Sequence, residues 1–238
     1  MKKIYFNSRA LFNNNTKEYE PIPGQLLLPR WFKKGDRYKK DKEGNRASCQ
    51  NEEIGSWKTC PAILDSLLSG YLLRTPCDIL IVRQNDNFGI VFEKGFELFG
   101  GIRGEESGFP TPPGYESIHF FWQINWMPQV PKGYTVLATH PLNRFDLPFL
   151  TISGFIDCDE FGYAGKAPFF IKKGFEGFIP AGTPYMQIIP FHQEEWKSEV
   201  NYYDEEQLLK IFKEQKGNFI SKTKTNYKEK FWIRKKYE

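Results

Sequence analysis

The chain is short of the residues that build metal and redox centres. Its 238 residues include four cysteines and three histidines, and Cys49, Cys60, Cys77 and Cys158 form no CxxC pair. Scattered in this way they read as reduced, buried small hydrophobes, and their spacing disfavours a zinc site. A Cys–His nucleophile pair would have to draw on His119, His140 or His192, a description that most chains of this length would meet. No apolar run approaches the roughly 20 residues that span a bilayer, so no membrane partner is expected. Met1 to Asn7 has two lysines but neither an apolar core nor a small-residue cleavage site, so a secretory signal is not expected. The glycine-rich stretch at 100–114 matches neither GxGxxG nor GxxxxGK followed by Ser or Thr, which leaves it as a connecting flap.

What is present points to a folded β protein. Hydrophobic residues make up 40% and aromatics 17% of the chain, whereas disordered chains are poor in aromatic and β-branched residues. The length suits one large β domain or a domain with appendages. The expected organisation is a single β-rich domain over 1–200 with a mobile polar loop at 33–48, followed by a C-terminal helix and basic extension over 201–238. The net charge of +4 is unevenly placed: 216–238 holds eight Lys and Arg against two acids. Such a tail can attract anionic partners, nucleic acid among them. Its alternation of lysines at even positions with Tyr227, Phe231 and Ile233 at odd ones equally suits an edge strand guarded by charge.

In order, proline-broken extended pieces over 1–32 leave no room for helices longer than a turn. Thr59 or Cys60 at a cap, Pro61 at the first helical position, apolar Ile63, Leu64, Leu67 and Leu68, and Gly70 as a stop predict a short internal helix. Tyr71–Arg83 predicts a strand, with an Asn85–Asn87 turn and a hairpin partner after it. Ile118–Trp126 carries bulky residues on both faces and reads as an interior strand, although aromatic faces also stack bases. Tyr134–Thr139, Phe149–Ile156 and Tyr185–Phe191 predict further strands. Asp204–Gln215, with acids in its first turn and Gly217 as a stop, predicts the C-terminal helix.

The densest pattern lies between Gly154 and Phe191. There Asp157, Asp159 and Glu160 cluster where a strand turns over, followed by Gly162, Tyr163 and Gly165. The acids are candidates for holding magnesium or hydrogen-bonding a sugar or base, and equally for capping their own turn. The strands on either side are expected to bring Arg144 near Asp157.

GFIDCDEFG at Gly154–Gly162 and IPAGTPYMQIIP at Ile179–Pro190 resemble the central region of the dUTPase and dCTP-deaminase superfamily. Tyr134–Arg144, ending in PLNR, resembles that superfamily's preceding strand and phosphate-facing arginine segment. The resemblance implies a β-sandwich or jelly roll, with Asp157 as the water-activating carboxylate. Arg144 would then lie near phosphate, with Gln187, Asp159 and Tyr163 around the pocket. The chain has no PRSG-like serine motif and one extra residue between Asp159 and Phe161. Over a longer span, WFKK, WKTCPAILDSLLSGY, INWMPQVPKGYTVL, HPLNR, SGFIDCD and IPAGTPYMQIIPF resemble a family of tailed-bacteriophage proteins of unassigned function. That likeness implies a phage origin and action in the host cytoplasm. The functional expectations are a nucleotide-type ligand binder, a magnesium-dependent nucleotide hydrolase using Asp157 as general base, or a virion or protein-interaction module. Further copies of the same chain are an expected partner.

Overall fold

The computed structural model describes residues 2–8, 17–49, 52–84, 87–104, 108, 110–162, 165–220 and 232–238. Its early elements in chain order are β1 (Tyr5–Ser8), β2 (Ile22–Pro23), α1 (Arg30–Lys34), β3 (Ser48–Cys49), β4 (Glu52–Glu53) and α2 (Pro61–Leu68). The central strands are β5 (Tyr71–Arg74), β6 (Ile79–Gln84), β7 (Asn87–Phe92), β8 (Gly100–Gly104), β9 (Tyr115–Gln123), β10 (Trp126–Gln129) and β11 (Tyr134–Thr139). They are followed by β12 (Phe149–Thr151), β13 (Gly154–Ile156), β14 (Lys166–Lys172), β15 (Gly177–Ile179), β16 (Pro184–His192) and α3 (Glu205–Ile220). The fold is mainly β, as the composition predicts, and the strand pairs are antiparallel. Two compact units are formed, one of 1–27, 70–193 and Tyr237, the other of 28–69, 194–236 and Glu238. The division runs through the 1–200 span read from the sequence.

In the first unit, a five-stranded sheet ordered β13-β11-β16-β5-β2 and a four-stranded sheet ordered β12-β14-β9-β8 share one core. A smaller sheet, β15-β6-β7, adds Ile79, Ile81 and Ile179 to it. Aromatic side chains fill the centre. Trp122 on β9 stacks on Phe169 of β14 with ring centroids 3.6 Å apart and planes 4° from parallel, and Tyr185 of β16 lies 5.4 Å away from the opposing sheet. Of the Ile118–Trp126 aromatics, Phe120, Trp122 and Trp126 are therefore core, the first two fully buried. Gly100, read from the sequence as part of a flap, begins β8 instead. A Cβ there would lie 2.7 Å from the Phe121 carbonyl oxygen, so only glycine lets the two strands approach.

Buried polar groups tie the layers together. The Thr151 hydroxyl on β12 accepts from Trp122 Nε1 at 3.0 Å and donates to the Tyr185 carbonyl at 2.6 Å. The Thr151 amide donates to His140 Nδ1 at 3.3 Å, which leaves Nε2 to donate to the Arg144 carbonyl. Tyr185 in turn donates to Asn125 Oδ1 at 3.0 Å.

Two predicted strands are each broken in two. Tyr71–Arg83 splits into β5 and β6 because Thr75 leaves the ladder: its amide donates to Thr183 O and its hydroxyl to Pro180 O, and Pro76 follows with no amide to offer. Phe149–Ile156 splits at Ile152–Ser153, where the chain crosses from the four-stranded to the five-stranded sheet. At Gly70, φ is +64°, and a Cβ would meet the Ile188 carbonyl oxygen at 2.0 Å.

In the second unit, α2 begins at the predicted Pro61 and buries Leu67 and Leu68. One side chain organises its C-terminal half: Asp65 Oδ2 accepts from Trp232 Nε1 and Lys235 Nζ, both at 3.0 Å. The 33–48 stretch carries regular contacts. Lys39 N donates to Ile54 O, Ala47 N to Lys39 O and Ile54 N to Ala47 O, each at 2.8 Å, and β3 pairs with β4. α1, slightly longer than one turn, was not expected before Gly35. α3 is capped reciprocally by Asp204 and Gln207 and runs past Gly217, whose cost of about 1 kcal/mol in a helix interior is insufficient to end it. The alternating tail pattern falls largely on 221–231, outside the described residues.

Two outcomes are expected from this core. Thr151→Val keeps the shape of the side chain but strands the Trp122 N–H and the Tyr185 carbonyl. It should lower unfolding free energy by roughly 2–4 kcal/mol in urea titrations. Burial pushes the His140 imidazole down to about 4 from 6.5. Because the folded state holds the neutral ring, its contribution is complete above pH 6.5 and is lost as pH falls from 6.5 to about 4. Urea midpoints measured across that window should fall steeply in the native chain and less steeply in His140→Gln.

Candidate functional site

The acidic turn is built against its neighbour, the Pro131–Gly133 turn. Asp159 Oδ2 accepts from the Gly133 amide at 3.1 Å, and its Oδ1 accepts from the Glu160 amide at 3.0 Å. The Val130 amide donates to the Cys158 carbonyl at 3.2 Å, and Lys132 pairs with Glu160 at 3.0 Å. Asp157 is exposed and accepts from Gln193 Nε2 at 3.2 Å. Asp159 thus uses both oxygens on backbone amides, as a turn cap does. Both Asp159 oxygens and Asp157 Oδ1 are engaged by donors of the protein itself. Among the described residues, no three His, Cys, Asp or Glu gather where they could hold a metal ion.

Arg144 and Asp157 are not brought together. In the β11–β13 ladder Ala138 faces Gly154 and Val136 faces Ile156. That register continued by one residue sets Asp157 opposite Thr135, near the Tyr134 end of β11, whereas Arg144 follows its Thr139 end. The four strand steps from Thr135 to Thr139 set them apart by roughly 13 Å along the ladder. Arg144 is committed to Asp146 through two N–H donors, Nε to Oδ1 and Nη2 to Oδ2, each at 2.9 Å. Gln187 is 1% exposed, and its Oε1 accepts from the Leu142 amide at 2.8 Å, fixing the His140–Arg144 loop. Tyr163 lies outside the described residues. Cys158 and Cys77 are buried and burial pushes their thiols up, to about 11 and about 12, which leaves neither as a ready thiolate nucleophile.

A cavity lies nearby that the sequence reading did not single out. A cleft of about 450 Å³ opens between the β13–β11 edge of one sheet and β14 of the other. Small residues create it: Ala138, Gly154, Gly165 and Ala167 line it where neighbouring strand positions hold Val, Phe or Ile. Ile124, Ile156 and Met186 make its apolar wall. Exposed Phe161 and Lys166 stand at the opening. Lys166 Nζ sits 4.1 Å from the Phe121 ring centroid, a cation–π contact that holds the ammonium over an aromatic face. Ser153 supplies a hydroxyl, already bonded to Thr139 Oγ1 at 2.6 Å. The legible signal was the pair of alanines inside otherwise bulky strands, YTVLAT and KAPFFIK.

Comparison with protein-family models and with curated proteins finds no match for this chain.

The geometry separates the roles of these polar residues. Gln187→Leu orphans the buried Leu142 amide and should cost about 1–3 kcal/mol in stability. Asp157→Asn, on an exposed side chain, should shift stability by less than about 0.5 kcal/mol. Thermal melts of the two variants beside the native chain check the contrast.

Proposed function

We propose that the β unit is a binding protein whose cleft takes the base of a nucleotide-type ligand, with Lys166 meeting the ligand's negative charge. The cleft carries this reading. Its volume of about 450 Å³ falls within the usual size of small-molecule sites, which are mostly apolar with a few placed polar groups. A base presents flat faces to such a wall and can stack on Phe161, an interaction worth about 1–3 kcal/mol. Lys166, exposed and among the lining residues, carries a positive charge that suits a phosphate staying in water.

Hydrolysis draws little support from the arrangement. Its general base and its phosphate-binding arginine would have to act at one point, and Asp157 and Arg144 stand at opposite ends of β11. Binding without turnover amounts to sequestration. The resemblance to tailed-bacteriophage proteins supports placing that sequestration in an infected cell.

Calorimetric titration with nucleoside mono- and triphosphates and cyclic nucleotides, with and without magnesium, tests the reading. At least one should bind, with the same affinity in either condition. Lys166→Ala should weaken it several-fold. Gly154→Leu, at a position where an added Cβ meets nothing within 4 Å, should fill the cleft and weaken it at least tenfold, while Asp157→Asn should leave it unchanged. No heat from any of these ligands, or binding indifferent to Gly154→Leu, defeats the assignment.

A further inference from the structure

Gln193 anchors the end of β16: its amide donates to Gly133 O at 2.9 Å and its side chain to Asp157. Beyond it, 194–204 has no regular secondary structure and belongs to no sheet, and every residue from 191 to 210 is exposed. This arm is not polar throughout. Trp196, Val200 and Tyr202 are 86%, 72% and 92% exposed and occupy even positions, with Lys197, Glu199 and Asn201 between them. In a strand alternate residues share a side, so a docked, extended arm would present these three as one apolar face. Such a period-two segment has the pattern of a peptide that pairs as a strand, and its three apolar side chains are exposed in its own chain.

Charge identifies what covers it. Residues 194–206 hold six carboxylates and one lysine. Residues 30–46 hold eight Lys and Arg and three acids, and all eight cations are exposed. Only two of those cations are engaged in ion pairs among the described residues, Lys40 with Asp36 and Arg46 with Glu53. We propose that the acidic arm of one copy docks on the basic 30–46 surface of a second copy of this chain. The stems and cations of that surface would cover Trp196 and Tyr202. Lys and Arg suit this role, since their aliphatic stems pack on rings while their charged heads sit over aromatic faces. Nucleic acid would satisfy the cations but would be repelled by the arm and would leave its rings in water. Each copy carries one arm and one basic surface, so a reciprocal exchange satisfies both, as closed two-fold pairing requires. The contact is independent of the cleft.

Sedimentation equilibrium of the nuclease-treated full chain over a range of concentrations and salt provides the test. Self-association is expected at low salt and should weaken about tenfold or more at high salt. Trp196→Ser with Tyr202→Ser, both on exposed side chains, should abolish it without moving the thermal melt. A chain with Lys34→Glu, Arg37→Glu, Lys39→Glu and Lys42→Glu, and a second with Glu194→Lys, Glu195→Lys and Glu199→Lys, should each be monomeric, since the changes turn the surface net acidic in one and the arm net basic in the other. Mixed, they should associate, because both contacts are then again between opposite charges. A native chain that stays monomeric overturns the proposal, including one whose basic surface binds a labelled duplex instead. Association indifferent to salt and to the Trp196 and Tyr202 changes, or reversed-charge chains that fail to associate on mixing, overturn it equally.

Discussion

The β unit depends on a buried hydroxyl. Thr151, 1% exposed, sits at the end of β12 and reaches Trp122 in its own sheet and Tyr185 in the facing one. Hydrophobic burial holds two sheets together without saying how they are aligned, since apolar contacts have no preferred direction. Hydrogen bonds do, and inside an apolar core a donor or acceptor without a partner is costly. Through Thr151 the indole of Trp122, the Tyr185 backbone and the His140 ring become mutually dependent. That set orients the Trp122–Phe169 stack at the centre of the core.

The corner after Thr151 follows from that constraint. With Thr151 held in one sheet, Ile152 and Ser153 carry the chain across, and Gly154 enters the other sheet as the edge strand β13. Two sheets diverging at a corner leave space unless large side chains fill it, and here the positions hold alanine and glycine. The cleft is thus a consequence of small residues at a topological crossing. The acidic turn lies at the far end of β13, where Asp159 secures the Gly133 amide. Its carboxylates serve the turn, and the cleft is lined mainly by apolar residues.

Much of the architecture was legible from pattern. Pro61 marked the start of the internal helix, Asp204 capped the C-terminal one, and the β-branched and aromatic runs of β9, β11 and β16 fell where alternation and composition placed them. The misreadings have a common cause. Phe149–Ile156 and Tyr71–Arg83 are continuous in sequence, but their halves pair with different neighbours, and nothing local distinguishes a straight strand from one that changes sheets. Gly100 looked like loop because its glycine requirement comes from the Phe121 carbonyl, a contact between strands.

Mainly β structure, helix starts, turn positions and the placing of charge along the chain follow from local chemistry: dihedral preference, capping and the period of apolar residues. The candidate site does not. Asp157 and Arg144 were grouped because the strands on either side were expected to bring them together, and they are parted by antiparallel register, a property of the ladder that no single strand encodes. The cleft likewise exists only once Ala138, Gly154 and the Gly165–Ala167 segment are assembled from three separate stretches of chain. An empty space belongs to the packing of several segments, so no one of them carries its signature.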